Sequence, residues 1–497
     1  MRASLSLVSA SFLLQVVAAA VTFTAQQPLA FQTETNSVNG GDVSIVTHPA
    51  FKDHRIRLVV PEDACPTKAK QWAGYLDVSA NNSHHMFFWY FESERDPEND
   101  PLVIWFAGGP GTSGLLSVFG GTGPCLFNEH GNGTFPNPYS WNNVANLIIV
   151  DQPVGVGFSY FDEGAEPVSD SFRAGKDIYA FLQLFYKRFP SKWNVPLTLA
   201  GGSYGGAYVP TFAHVIFEEN QKKSTSIWKD ELVYVPMETL AIGNGLSNFG
   251  VQLPLTPEWA CDVHGLFDEQ ECAIMKRSAP ICAAAFKNCL DFDFDKAACF
   301  PAAEYCQSTM LGPAMSKNIS VYDITEKCAP EECFISAFNP LIKYLNSPET
   351  RKKLKLVPDS IKWEPVSYEL SERFVLAGDE FYPHSDLLAP LVTSGIRVIA
   401  YIGDWDMICH WLGNLRWMLD LPTPFQSEFA VAEDEKIFFQ DKLKATIRTA
   451  GQGAGNFAFV RIFEAGHGIV GYQPAFTVWM LENWLQNTEF KSQSTGF

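Results

Sequence analysis

The stretch Pro196-Leu197-Thr198-Leu199-Ala200-Gly201-Gly202-Ser203-Tyr204-Gly205-Gly206-Ala207-Tyr208-Val209 decides the reading of this chain. Residues 196–200 are apolar and strand-like, residues 201–206 contain the pattern GxSxG, and the run from Ala207 to Phe217 has helical character. A strand that turns through glycines into a helix presents the central serine at the carboxyl edge of a sheet, beside a helix N-terminus, as a nucleophile elbow does. Short glycine-serine patterns also occur in ordinary turns. Ser203 therefore becomes a candidate nucleophile only if the rest of the chain supplies a base, an orienting acid and an oxyanion-binding loop.

Composition sets the setting for that search. Hydrophobic residues make up 46% of the 497, with 13 Trp and 39 Phe, enough for one large α/β domain with an insertion or for several smaller domains. The formal net charge of −19 counts against nucleic acid as a partner. Residues 1–20 run from Arg2 through an apolar stretch to Ala18-Ala19-Ala20 and read as a secretory signal peptide, so the mature chain is expected to be secreted or vacuolar/lumenal. No later stretch reads as a membrane span.

Of 11 cysteines, Cys261, Cys272, Cys282, Cys289, Cys299, Cys306, Cys328 and Cys333 cluster in one segment; the others are Cys65, Cys125 and Cys409. In an oxidising compartment this clustering predicts disulfides stapling a loop-rich insertion. A zinc site is the competing reading, but there is neither a paired CxxC nor a nearby histidine pair, and no metal is expected. The odd total leaves at least one thiol free or paired between chains. Sequons at Asn81, Asn132 and Asn318 are candidate glycosylation sites.

Along the chain, residues 21–60 carry little pattern. His85–Phe91 is an aromatic strand, Asp96–Asp100 has turn chemistry, and Pro101–Phe106 is a second strand, which together predict a hairpin. The second strand runs into Ala107-Gly108-Gly109-Pro110-Gly111. With no GK[ST] and no GxGxxG, a phosphate cradle is disfavoured, and an oxyanion loop or a tight turn remains. Asn146–Asp151 is a further strand. Ile178, Phe181, Leu182, Phe185 and Phe189 predict a core-packed helix from about Asp170. Strands ending in Leu240–Asn244, at Ile396–Ile402 and at Phe457–Phe463 follow, then a terminal helix with Phe476, Met480 and Trp484. Strands alternating with helices predict a central, mostly parallel sheet with helices on both faces. The rhythm breaks over residues 251–360, read as a disulfide-rich cap over the sheet's carboxyl edge. The core is then 21–250 plus 361–497.

A serine nucleophile needs a base, and the base needs an acid to hold its tautomer. Asp406, after the strand 396–402, and His467, after the strand 457–463, give the order Ser, Asp, His that is found in α/β-hydrolases. Asp404 competes with Asp406. His84, His85 and His410 sit in aromatic neighbourhoods and read as packing residues. The matching oxyanion donors are the N–H groups of Gly109 and Tyr204.

With these motifs in order from about residue 50 to the C-terminus, the chain resembles the serine carboxypeptidase family of α/β-hydrolases. The resemblance is carried by Phe88–Ser93, Trp105–Gly111, Trp141–Asn146, Asp151–Tyr160, the elbow, Ile242–Gly245, Tyr344–Pro348, Gly403–Asp406 and Gly466-His467. It implies an α/β-hydrolase fold, no cofactor, catalysis by Ser203, His467 and Asp406 through an acyl-enzyme, and an unpaired thiol at Cys409. It also implies cleavage of C-terminal residues from peptides. The family holds a substrate carboxylate with an asparagine and two glutamates, and the matching positions here are Ala107, Gly202 and Gly121. The usual loop cysteine is replaced by Thr112, which leaves Cys125 expected to staple the insertion. Gly468 stands where a methionine is common, enlarging the leaving-group side. These departures raise an alternative, an acyltransferase or esterase acting on a small molecule. A non-catalytic binding protein on the same fold is the remaining reading, and the complete Ser, Asp and His set argues against it.

Overall fold

Apolar runs such as Leu102-Val103-Ile104-Trp105-Phe106 and Asn146–Val150, buried along their whole length, form the middle of a sheet covered on both faces. The computed structural model describes residues 34–38, 41–78, 83–292, 294–328 and 337–493; the expected signal segment, Asn81 and Cys333 lie outside them. Six strands pair in parallel at the centre, in the order Asn146–Val150, Leu102–Phe106, Leu197–Ser203, Met237–Gly245, Arg397–Gly403 and Phe457–Ile462. Antiparallel strands extend this core on both sides, from Gly41–His48 to His84–Phe91 on one and through Lys442–Ala450 to Glu435–Phe439 on the other. The 14-stranded sheet is therefore mixed, with the expected parallel part at its centre.

Alternate residues of each strand feed opposite cores. Ile104 and Phe106 pack against the helices Ser171–Arg188 and Gly205–Lys222, whereas Val103 and Trp105 pack toward Leu115–Phe119 and Pro474–Leu485. The helix expected from Asp170 begins there: the Asp170 carboxylate accepts from Arg173 N, and Ile178, Phe181, Leu182 and Phe185 are buried. Among the described residues no helix is long and apolar enough to cross a membrane.

The expected hairpin does not form. Asn146–Val150 inserts between His84–Phe91 and Leu102–Phe106, antiparallel to the first and parallel to the second. The Asn146 side chain holds the connection open, accepting from Ser93 N at 3.2 Å and donating to the Asp100 carbonyl at 2.8 Å. Those bonds occupy groups that a tight turn would close upon itself.

The insertion is helical rather than loop-rich. Helices Glu269–Asp291 and Lys296–Met310 pack side by side, joined by Cys282–Cys306 and Cys289–Cys299, with Cys261–Cys272 beside them. Met275, Ser278, Cys282, Phe286 and Cys289 are the buried positions of the first helix, so its cysteines 282 and 289 belong to one buried stripe. Cys328 is also disulfide-bonded, and Cys409 is free and buried, as expected. Cys125 does not staple the insertion. It opens the small ribbon Cys125–Phe127 and Thr134–Pro136 and bonds to Cys65, 5.5 Å away between Cα atoms.

Candidate active site

Strand Leu197–Ser203 ends at the serine and helix Gly205–Lys222 starts two residues later, so Ser203 sits at the tip of the turn with φ of 59°. This left-handed backbone is costly for a non-glycine residue and aims its side chain out of the sheet edge. The loop after the neighbouring strand packs directly on the turn: a Cβ at Gly108 would lie 2.4 Å from the Ser203 Cβ and 2.5 Å from Tyr204 N. Only glycine permits that approach, which brings Gly109 into the same cavity wall as Ser203.

Asp406 and His467 follow the two strands beyond Met237–Gly245 in the parallel core, Arg397–Gly403 and Phe457–Ile462. His467 Nδ1 and Asp406 Oδ2 are 2.8 Å apart, with the aspartate fully buried. Asp406 also accepts from the backbone N–H groups of Ile408 and Cys409 through Oδ1, at 3.1 and 3.2 Å, and from the Asn244 amide through Oδ2. Asn244 in turn accepts from Gly403 N at 3.0 Å, locking the acid to two adjacent strands. These bonds engage both carboxylate oxygens and hold the imidazole by Nδ1, which leaves Nε2 on the side away from Asp406. His467 and Ser203 line one cavity. Among the described residues their side chains make no hydrogen bond to one another. Asp404 is turned elsewhere, to Arg461 Nε at 2.8 Å.

The insertion clamps both loops. The Val321 carbonyl accepts from Met407 and Ile408 N–H at 3.0 Å each, and the Tyr322 carbonyl accepts from His467 N–H at 2.8 Å. The Tyr322 ring lies 5.1 Å from the imidazole, and burial pushes its hydroxyl up to about 12. Tyr204 is anchored on its other side, its hydroxyl donating to Asp379 Oδ2 at 2.8 Å. The Ser171 N–H donates to the same carboxylate at 2.9 Å.

Ala107, Gly202, Thr112 and Gly468 line the cavity beside Ser203 and His467. Gly121 does not; its neighbours Gly120 and Thr122 do, and a Cβ at Gly121 would point to Val470 Cγ1, 3.0 Å away. Cys409, Asp406 and His467 each bring a heteroatom within 4.8 Å of the other two. Burial first, and the Asp406 charge second, push the Cys409 thiol well up. The three histidines read as packing residues are structural: His85 Nδ1 meets Asp77 Oδ1 at 2.7 Å, His84 Nε2 meets the Glu166 carbonyl at 2.8 Å, and His410 caps helix Trp411–Asp420 through Gly413 N at 3.0 Å. Burial holds His410 down at about 4.

Sequence reasoning missed Asn244, Tyr322 and Asp379. Asn244 lay inside the quoted Ile242–Gly245 motif without a role, and no local pattern marks the other two.

A family model described as serine carboxypeptidase matches residues 61–487. The chain belongs to the serine carboxypeptidase family. The carboxypeptidase Y homolog A of Paracoccidioides brasiliensis (strain Pb03) is 35% identical over 437 residues, covering 87% of this chain and 76% of the relative. The homolog from Sclerotinia sclerotiorum is 35% identical over 438 residues, with the same shares. Among solved structures, KEX1(Δ)p, a prohormone-processing carboxypeptidase from Saccharomyces cerevisiae, superimposes with a TM-score of 0.71 at 21% identity, covering 89% of this chain and 95% of that one. That likeness shows a shared fold.

Proposed function

We propose that Ser203, His467 and Asp406 are the catalytic triad of a serine-carboxypeptidase-type hydrolase that acts on peptide C-termini through an acyl-enzyme. The observation that carries this reading is the 2.8 Å His467–Asp406 bond facing the same cavity as an elbow serine held at φ 59°. Ser203 Oγ attacks the scissile carbonyl while His467 Nε2 takes its proton, and Asp406 stabilises the imidazolium. The N–H groups of Gly109 and Tyr204 receive the oxyanion. His467 then protonates the leaving amine, and water repeats the cycle on the acyl-enzyme. These steps use side chains and backbone alone, without a cofactor.

Mature enzyme with a chromogenic ester of a blocked amino acid gives a burst equal to the enzyme concentration, followed by steady turnover, if an acyl-enzyme forms. Ser203→Ala that keeps the wild-type melting temperature yet retains turnover refutes the assignment.

The division into signal 1–20, core 21–250 with 361–497, and cap 251–360 belongs to this reading, as does a secreted or vacuolar setting. Disulfides such as Cys65–Cys125 and the exposed sequons Asn132 and Asn318 support that setting. A second reading, transfer of the acyl group to a small alcohol or amine, is favoured by the absence of Asp, Glu, Lys and Arg from the cavity wall among the described residues. Product analysis with a nucleophilic acceptor present separates it from hydrolysis.

A further inference from the structure

The proposed oxyanion donors, the N–H groups of Gly109 and Tyr204, come from two separate loops, and among the described residues neither donates to a protein acceptor. Both serve one developing negative oxygen only if the loops keep a fixed spacing, because each donor must sit about 3 Å from where that oxygen forms. From the inside the spacing is limited by contact: Gly108 rests on the Ser203 turn so closely that no Cβ fits between them. Contact stops the loop from approaching further but does not stop it from moving away. The loop is not stiff by itself either, since Gly109 and Gly111 adopt φ of 109° and 93° and glycine has the widest choice of other conformations.

Helix Tyr368–Ala377 closes the arrangement from the outside. Just before it, Val366 forms an antiparallel bridge with Thr112: the Ser367 N–H donates to the Gly111 carbonyl at 2.8 Å, and the Ser113 N–H donates to the Pro365 carbonyl at 2.9 Å. In its first turn, the Ser371 hydroxyl donates to the Pro110 carbonyl. The two carbonyls that follow Gly109 are thus both held by the start of one helix. At the other end Gly378 turns the chain with φ of 84° into Asp379, whose carboxylate accepts from the Tyr204 hydroxyl at 2.8 Å and from Ser171 N–H at 2.9 Å. Between these ends the buried Phe374 sets its ring 6.3 Å from the Tyr204 ring, at 88°. Ten helical residues form a rod about 15 Å long that grips one donor loop at each end.

We propose that helix Tyr368–Ala377 is the brace that sets the spacing of the oxyanion donors, with Ser371 positioning Gly109 and Asp379 positioning Tyr204. The inference rests on the proposed function, because it gives these residues a task around the same Ser203. Ser371 lines the cavity, but its hydroxyl proton is committed to Pro110, so it acts through the loop.

The test compares wild type with Ser371→Ala, Asp379→Asn and the double variant, using the chromogenic ester and expressing kcat/KM per Ser203 labelled by an organophosphonate. Two inhibitors report on the site itself: a peptide aldehyde, whose adduct with Ser203 places an oxygen between the two donors, and the matching peptide alcohol, which forms no adduct. In Ser371→Ala, kcat/KM per labelled site is expected to fall about tenfold, less than the roughly 100- to 1000-fold that follows deletion of a donor itself. Aldehyde affinity falls by the same factor, and alcohol affinity stays within about twofold. Asp379→Asn shows the same split, and the double variant loses less than the product of the single losses, because the donors work as a pair. Residues that only support the fold would lower the melting temperature and the labelled fraction while leaving the per-site values unmoved.

Unchanged per-site values in Ser371→Ala overturn the inference, as do equal losses of aldehyde and alcohol affinity or fully multiplicative losses in the double variant. Labelling of wild-type Ser203 together with any of these overturns only the brace. Wild type that does not label at Ser203 overturns the proposed function and the inference with it.

Discussion

Glu380 offers a quantitative test of the wall that supports the turn at Ser203 and Tyr204. It is half-buried next to Asp379, the residue that holds Tyr204, and burial first and the Asp379 charge second push its carboxyl from the usual 4.5 up to about 7. Because the folded-state value lies above the unfolded one, the folded protein binds the proton more tightly between these values. The stability this contributes is complete below pH 4.5 and is lost as pH rises through 7. A shift from 4.5 to about 7 corresponds to at most about 3.5 kcal/mol at about 1.4 kcal/mol per unit, and partial exposure reduces this to roughly 1–3 kcal/mol. Glu380→Gln removes the titration while keeping the shape. Urea midpoints for wild type and variant at pH 5, 6, 7 and 8 should therefore diverge, with Glu380→Gln gaining roughly 1–3 kcal/mol over wild type between pH 5 and 8. A wild-type-to-variant difference that is flat with pH, or that shrinks as pH rises, refutes the reasoning.

Asn244→Ala removes a charge-assisted hydrogen bond to Asp406 and should lower kcat/KM by about 10- to 100-fold, from about 1.5–3 kcal/mol, with most of the loss in kcat; a change below twofold contradicts the role given to Asn244. Replacing both Cys65 and Cys125 by Ser opens a loop with a sequence separation of 60 and should cost about 4 kcal/mol, read as a lower melting temperature with little change in KM. Cys409, buried and with its thiol pushed up, should react with a disulfide reagent at pH 8 far more slowly folded than in denaturant; equal rates would place it at the surface.

The parallel core and the placement of Ser203, Asp406 and His467 were legible because each depends on local pattern: a buried apolar run followed by glycines or a short polar loop. The choice of Asp406 over Asp404 was not purely local, since both follow one strand, and it is the Arg461 guanidinium that takes Asp404 aside. The mistaken hairpin shows the limit of pattern reading. His84–Phe91 and Leu102–Phe106 look adjacent until Asn146, 53 residues past Ser93 and 46 past Asp100, bonds both ends of the turn between them. The outer strands were overlooked for a similar reason. Gln71–Val78 carries Asp77, whose partners Arg55, Arg57 and His85 come from two other strands, so its polar pattern has meaning only once the sheet is assembled. The insertion's helices were hidden because cysteines at 282 and 289 read as staples of a loop rather than as the buried side of a helix. Tyr322 and Asp379 reach the site from the insertion and from a short turn, and each contacts a site residue, His467 or Tyr204, more than 140 positions away in the chain.

Ser203, activated by His467, is proposed as the residue that becomes acylated. Incubating the mature protein with an organophosphonate and mapping the adduct by peptide mass spectrometry tests it most directly. One adduct per chain is expected on the peptide containing Ser203, absent in Ser203→Ala and formed much more slowly in His467→Ala. An adduct on another residue, or labelling that persists in Ser203→Ala, would contradict it.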